Sequence, residues 1–330
     1  MAGIKDVAAL AGVSISTVSY VMTGKRPIGA NTRRRVLQAA RELGYLAKNG
    51  GPAPLSGETH FVALSSPVHD STSYTNYCAY FLNFLKAARQ LGYETLLLTE
   101  ETGDEQLRSI IDTGMVDGVA LMDVTMNDPR IELAQLSSIP LISIGHPMNE
   151  INVPCIDTDF IEMGEMIMQT LCRNGHSRIL FAGGKEIDYE RNGGANYLIR
   201  LRTSMHDAAA RYKIHIDEEF TDEDDFDAAE NLLERFISSE NTAIVTQGGP
   251  LFLNNLVAAT RQRGMKIPQD LSLISAGTYT DSIGKRLRID EFPLLGMSML
   301  VRLMDGTLKG KEKATLIHPV YRQRGSIASR

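Results

Sequence analysis

No apolar stretch in this 330-residue chain approaches the roughly 20 residues that a membrane-spanning helix needs. No secretory leader is expected, since the first residues read as basic and helix-forming, not as an apolar core. Cysteine is scarce. Cys78, Cys155 and Cys172 are scattered, show no metal-ligand spacing and cannot all pair. They point to buried apolar thiols in a reducing, cytoplasmic setting. A phosphate loop is missing, because Gly183-Gly184-Lys185-Glu186 does not follow the G-x-x-x-x-G-K-[ST] spacing. The acidic run 217–227 lacks the central Gly and terminal Glu of a calcium loop. It reads as solvated acid at the positive end of a helix over 228–237. No Ser/His/Asp or Cys/His constellation emerges. These absences leave no metal or cofactor reading and argue against an enzyme.

What is present is concentrated at the N-terminus. Ile4, Val7, Ala8 and Ala11 share one helical face. Gly12 can end that helix, since it tolerates positive φ. Ser14 can cap a second helix in which Val18 and Val21 face inward. Two such helices bury too little by themselves. A third, with Asn31 as cap and Val36, Leu37, Ala40 and Leu43 as its apolar face, closes the core. A helix-turn-helix closed by a third helix is a shape that places a helix in the major groove of DNA.

Charge agrees. Residues 1–48 hold eight Lys/Arg against Asp6 and Glu42, a net +6 on a chain whose total is −6. The remainder therefore carries −12. A basic head on an acidic body implies a polyanionic partner for the head alone, with affinity that falls steeply with salt.

Residues 46–60 read as a linker rich in Gly and Pro. From residue 61 short apolar runs alternate with amphipathic helices. Strands are expected over 61–64, 95–98, 118–121 and 140–144, with helices over 76–91, 104–113 and 129–136. A second series begins near Cys155: a helix over 160–173, a strand over 179–181, a helix over 195–212, strands over 243–245 and 273–275, and a helix over 251–263. This makes two parallel-sheet halves, with ligands expected at the carboxyl ends of the strands.

The head resembles that of the LacI/GalR family of bacterial transcriptional regulators. Asp6-Val7-Ala8, Ala11-Gly12-Val13-Ser14, Thr17-Val18-Ser19, Asn31-Thr32-Arg33 and Leu43-Gly44-Tyr45 carry the likeness. It continues through Asp128-Pro129-Arg130, Ile144-Gly145-His146-Pro147, Asp157-Thr158-Asp159-Phe160, Gly175-His176-Ser177-Arg178-Ile179, Ile267-Pro268-Gln269-Asp270-Leu271-Ser272 and Arg324-Gly325-Ser326. The resemblance implies an α/β, periplasmic-binding-protein-like bilobed body (61–330) with an all-α headpiece (1–48) and a hinge (49–60). His176 is expected to be a turn residue, not a catalyst.

The resemblance further implies a repressor of carbohydrate catabolism or transport genes. It would bind a palindromic double-stranded operator as a homodimer and answer to a small-molecule effector between the lobes. No leucine heptads follow Arg324-Gly325-Ser326, which speaks against a tail-mediated tetramer. A solute-binding or sensor protein with the same body is the alternative.

On the head, Ile15, Ser16 and Tyr20 would face bases, and Ser14, Thr17, Ser19 and Asn31 would meet phosphates, with Lys5 beside them. Tyr20 stands where many members carry Arg, so the operator is expected to differ at that base. In the hinge, Gly51-Pro52 and Pro54 replace helix-forming residues and Leu55, the expected minor-groove wedge, comes one place late. Gly costs about 1 kcal/mol and Pro about 3 kcal/mol in a helix interior, which puts a hinge helix in question.

In the cleft, Arg200 matches the family's ligand arginine. The usual Asn-Asp and Asp grips fall on Gly248-Gly249 and Gly277. His69, Asp70, Tyr74, Gln247 and Tyr279 are the candidate substitutes, beside Thr246, Thr278 and Asp281. The expectation is that a simple hexose held in the usual way is not the effector. A larger glycoside, a non-sugar ligand and no effector at all stay open.

Overall fold

The structure is a computed structural model. It describes residues 3–23, 26, 28–43, 59–68, 74–100, 104–137, 139–147, 153–190, 194–276, 283–284, 291–308, 315–322 and 325–330. Three helices open it: α1 (Ile4–Ala11), α2 (Ile15–Thr23) and α3 (Ala30–Glu42). Gly12 adopts φ 63° and its N–H bonds back into α1, while Val13 donates to the Ala8 carbonyl at 3.0 Å. That left-handed C-cap turns the chain into α2. Ser14 Oγ then accepts the Thr17 N–H at 3.1 Å, the N-cap that the sequence predicts. Val7, Ala8, Ala11, Val18, Val21, Val36, Ala39 and Ala40 make one small core. α3 begins at Ala30, one residue before the expected cap. The Gly29 carbonyl already accepts Arg33 N–H at 3.0 Å, so Asn31 sits inside the first turn, where its Oδ1 accepts from Arg34 at 3.0 Å.

The body continues as β1 (Phe61–Ser65), α4 (Tyr74–Gln90), β2 (Glu94–Leu98), α5 (Asp104–Thr113), β3 (Gly118–Met122), α6 (Pro129–Leu136), β4 (Leu141–Ile144) and β5 (Cys155–Thr158). Next come α7 (Phe160–Arg173), β6 (Arg178–Gly183), a 3-10 turn at Glu186–Tyr189, α8 (Asn196–Tyr212), β7 (His215–Phe220), α9 (Phe226–Ile237), β8 (Ala243–Thr246), α10 (Pro250–Gln262) and β9 (Ser272–Ser275). The chain ends with β10 (Ile283–Gly284), α11 (Glu291–Met304), β11 (Thr315–Ile317) and β12 (Val320–Tyr321).

Two all-parallel sheets result. The first runs β11-β5-β4-β3-β1-β2 and the second β7-β6-β8-β9. β10 and β12 form a short antiparallel pair. Helices cover both faces of each sheet, so β3, β4 and β8 are buried along their whole length. The second series thus starts one strand later than the sequence suggested: β5 pairs with β4 and β11 in the first sheet. β7 lies where the acidic run was expected to be solvated. Only its end, with Asp225 accepting Ala228 N–H at 2.8 Å, caps α9. The thiols also differ from expectation. Cys155 is buried, and burial and then Asp157 push its pKa up to about 12. Cys78 and Cys172 are exposed, on the outward sides of α4 and α7.

His176 ties the second lobe together. Its ring nitrogens meet Thr242 Oγ1 at 2.7 Å and the Ala328 carbonyl at 3.1 Å. Arg130, 1% exposed, does the same for the first. Its guanidinium donates to Asp128 Oδ1 and Oδ2 (2.9 and 2.6 Å), to the Ser65 carbonyl at the end of β1 (3.0 Å), and to the Met122 and Asp123 carbonyls at the end of β3 (3.0 and 3.1 Å). Removing one partner of such a pair strands a buried charge. Arg130→Ala is expected to cost about 3–5 kcal/mol in urea unfolding; a loss under about 1 kcal/mol would refute this role for the arginine.

Candidate DNA-binding surface and effector cleft

Val18 and Val21 point into the head, which turns Ser16, Ser19 and Tyr20 away from that core. Ile15 is exposed at the start of the same helix. Ser14 Oγ lies 2.8 Å from both Ser16 Oγ and Thr17 Oγ1, so these hydroxyls form one cluster at the helix N-terminus. α2 has no charged side chain. The cations flank it: exposed Lys5 on α1, exposed Arg26 in the turn after α2, and Arg33, Arg34 and Arg35 on α3. Arg26 lies over the Tyr20 ring, 5.4 Å from its centre, and Arg33 reaches Asp112 of α5 at 3.6 Å. This surface brings Lys5, Ser14, Ile15, Ser16, Thr17, Ser19, Tyr20 and Asn31 to one small domain; Leu55 lies outside the described residues.

The cleft forms where strands of the first sheet end opposite the start of α8. Asp123 follows β3, His146 follows β4, and Asp157 is in β5. Facing them are Ala195, Asn196, Tyr197 and Arg200. Thr125 and Ala195 form an isolated antiparallel bridge. Asn196 donates its N–H to the Val124 carbonyl at 3.4 Å and its side-chain amide to the His146 carbonyl. Arg200, 6% exposed, donates to Asp157 Oδ2 at 3.2 Å. Asp157 also accepts the N–H groups of His146 (2.9 Å) and Thr158 (2.7 Å). The predicted ligand arginine therefore already holds a carboxylate.

Polar atoms remain unsatisfied here. Ser66 Oγ, His146 Nδ1, Thr158 Oγ1 and Asn196 Oδ1 are buried without a protein hydrogen bond. Asp123 sits at φ 53°, a strained conformation for a non-glycine residue, and accepts the Tyr77 hydroxyl. Tyr197 packs against Phe160, ring centres 5.6 Å apart, yet is 43% exposed. Burial first, then the Asp123 charge, raises the pKa of Tyr77 well above the usual phenol range, so it stays a neutral donor. Burial first, then the Arg200 charge, lowers that of His146, favouring the neutral imidazole.

On the second lobe Tyr189 donates to Gln247 Oε1 at 2.7 Å and stands 5.1 Å from the Phe220 ring. Arg202 lies over both rings and grips Glu218 at 2.7 and 2.5 Å, with His206 at 2.9 Å. Gly248 is a glycine for a packing reason: a Cβ there would fall 2.4 Å from Phe252 Cδ1. Its N–H is taken by Thr246 Oγ1 at 2.9 Å.

Of the residues named from sequence, Arg200 lies at the contact between the lobes, and Gln247 and Gly248 follow β8 at the carboxyl edge of the second sheet. Tyr74 opens α4. His69, Asp70, Gly277 and Tyr279, with Thr278 and Asp281, lie outside the described residues. Asp123, His146, Asp157, Asn196, Tyr77 and Tyr197 were not on that list. Asp123 had a legible signal, as the first polar residue after an apolar strand.

Two family models match. Residues 3–48 fit "Bacterial regulatory proteins, lacI family", and residues 68–283 fit "Periplasmic binding proteins and sugar binding domain of LacI family". The chain is 29% identical over 289 residues to the transcriptional regulator AglR of Rhizobium meliloti (strain 1021), covering 82% of this chain and 76% of that protein. A structure of the regulator CelR with cellobiose superposes with TM-score 0.64 at 22% identity, covering 99% of this chain and 100% of the other. The lac repressor dimer bound to operator and the anti-inducer ONPF gives TM-score 0.67 at 17% identity, covering 99% of each. No single helix among the described residues is long and apolar enough to cross a membrane, and no group of three or more His, Cys, Asp or Glu among them could hold a metal.

Glu218 supplies a pH test. Burial pushes its pKa up, but the hydrogen bonds from His206 and Arg202 outweigh this and hold it down to about 2. A depressed carboxylate stabilises the fold above its unfolded value, near 4.3, and loses that contribution as pH falls through the folded one. The stability difference between wild type and Glu218→Gln is expected to shrink as pH falls from about 5 toward about 2. A difference that stays constant or grows across that interval would contradict the assignment.

Proposed function

The chain belongs to the LacI family of bacterial regulatory proteins, and from that premise we propose that it is a homodimeric transcriptional repressor whose operator affinity is set by a polyhydroxylated small molecule, a disaccharide or glycoside, held between its lobes. It acts where its DNA is, in the cytoplasm, and has no catalytic role. Two headpieces related by a two-fold axis would read two half-sites of a palindrome.

The observation that carries this reading is the cleft wall in the same chain as a basic three-helix head. The phenols of Tyr77 and Tyr197, the Asp123 carboxylate, neutral His146 and the unsatisfied Asn196 and Thr158 oxygens make a mixed donor and acceptor surface. Such a surface suits neutral hydroxyls, and the exposed Tyr197 ring offers an apolar face to a sugar ring. The family's acidic grips on the second lobe are glycines here. Among the described residues, Asp123 on the first lobe is the carboxylate placed to meet a ligand's hydroxyls. A relative of the same fold, CelR, holds cellobiose, which fits a ligand longer than one ring.

Control then works by population shift. A ligand that favours one lobe arrangement changes the spacing of the two heads and so their joint fit to the operator. Salt-titrated gel shifts on palindromic fragments near the protein's own gene, with and without a panel of mono- and disaccharides, test the proposal. One disaccharide or glycoside is expected to change operator affinity about tenfold or more. Asp123→Ala is expected to abolish that response and leave ligand-free DNA binding intact. Tight binding of a plain monosaccharide, or a full response in Asp123→Ala, would overturn it.

A further inference from the structure

An ion pair joins the head to the body: Arg33 of α3 approaches Asp112 of α5 to 3.6 Å. Each charge stands at the wrong end of its own helix. Arg33 lies in the first turn of α3, where the helix dipole is positive and no acidic residue offsets it. Asp112 lies in the last turn of α5, where the dipole is negative and no basic residue offsets it. Both charges are disfavoured by the helix that carries them and favoured by the one they face. The net charges pull the same way, +6 on the head against −12 on the rest.

The contact is loose. At 3.6 Å it is an attraction between charges and not a hydrogen bond. The two side chains are 37% and 48% exposed, and Arg33 Nε is buried without a hydrogen-bond partner. Pairs of this kind contribute little and are screened by salt. A DNA phosphate offers the same guanidinium a closer, two-pronged partner. Asn31, which is expected to meet a phosphate, lies two residues earlier in the opening turn of α3, within the length of an arginine side chain. A carboxylate that engages Arg33 therefore competes with the DNA backbone for one of the head's cations.

We propose that Asp112 is an autoinhibitory stand-in for a DNA phosphate: it holds Arg33 against α5, and DNA must displace it before that arginine can bind the backbone. The proposal rests on the DNA-binding reading above and adds to it an internal competitor. The cost is equal on every sequence, so it lowers affinity without changing which site is preferred. Its effect falls hardest on non-specific binding, which rests on phosphate contacts alone.

The test is a double-mutant cycle in operator binding by the full-length protein, from about 50 mM to about 200 mM salt. Asp112→Asn is expected to bind about two- to twentyfold tighter at low salt, since each dimer has two pairs to break, and the gain fades as salt rises. Arg33→Ala is expected to weaken binding on all sequences alike, and in that background Asp112→Asn changes nothing. Asp104→Asn, at the far end of α5, is expected to leave affinity unchanged. Operator binding that is unaltered or weaker in Asp112→Asn would overturn the proposal. So would an equal gain from Asp104→Asn, which would make the effect one of total body charge, or a gain from Asp112→Asn that survives Arg33→Ala. If wild type binds no DNA fragment at low salt, the DNA-binding reading itself fails and takes the proposal with it.

Discussion

In both sheets every strand runs the same way, so the loops that leave β1, β3, β4 and β5, and those that leave β6, β8 and β9, are gathered at one edge of each sheet. Parallel pairing needs a long crossover between neighbours, and here the crossovers are helices that bury both sheet faces. What is left for polar chemistry is the carboxyl edge. The chain returns from the second lobe to add α11 and β11 to the first, pairing β11 with β5. Each lobe is therefore stitched from separated segments, and the two polar edges meet. Thr125 and Ala195, Val124 and Asn196, and Asp157 and Arg200 are the contacts where they do.

Those edges differ in how fully they are satisfied. The Arg130 guanidinium uses every N–H direction available to it, on Asp128 and on the ends of β1 and β3. A network satisfied in this way stiffens the wall behind it. Asn196 and His146 are only half satisfied, each keeping one buried polar atom without a partner. Leaving such an atom bare costs about 1–3 kcal/mol. The rigid and the unsatisfied parts of the cleft are thus adjacent: Arg130 holds the Asp123 backbone carbonyl at 3.1 Å, and the Asp123 carboxylate lies on the same wall as His146.

Much of this was legible in the order of the residues. The headpiece was readable because helical periodicity, Gly12 and Ser14 are local signals that agree with one another. α5 and α6 fall where apolar spacing and the Asp128-Pro129 start place them. β7 was missed because it is an edge strand whose alternate positions are Asp217 and Glu219, charges that an edge tolerates and that mimic a solvated loop. β5 was assigned to the second lobe because nothing in the four residues Cys155–Thr158 names their sheet partner. The cleft was least legible. Arg200 was visible through family resemblance, but its engagement with Asp157, 43 residues away in sequence, exists only in the folded chain. The glycines at 248–249 and 277, where the resemblance places polar grips, were equally visible, whereas Asp123 and Tyr77 come together only in the folded chain.

The scale of control follows from the same contacts. A hundredfold change in operator affinity needs a preference of about 2.7 kcal/mol between two lobe arrangements. A neutral hydrogen bond contributes about 0.5–1.5 kcal/mol and one to a charged group about 1.5–3 kcal/mol. Among the described residues, the contacts between the lobes include the Asn196 bonds to Val124 and His146, the Arg200 bond to Asp157 and one backbone bridge. A ligand that exchanges even two of these for its own hydroxyls commands enough free energy to move the equilibrium. None of that energy has to reach the head as a signal. The head carries +6 and the body −12, so the long-range attraction to DNA belongs to the head whichever way the lobes sit. In the mechanism proposed above, what the lobes alter is the distance between two heads. Two independently attractive heads lose their joint affinity as soon as their separation no longer matches that of the half-sites.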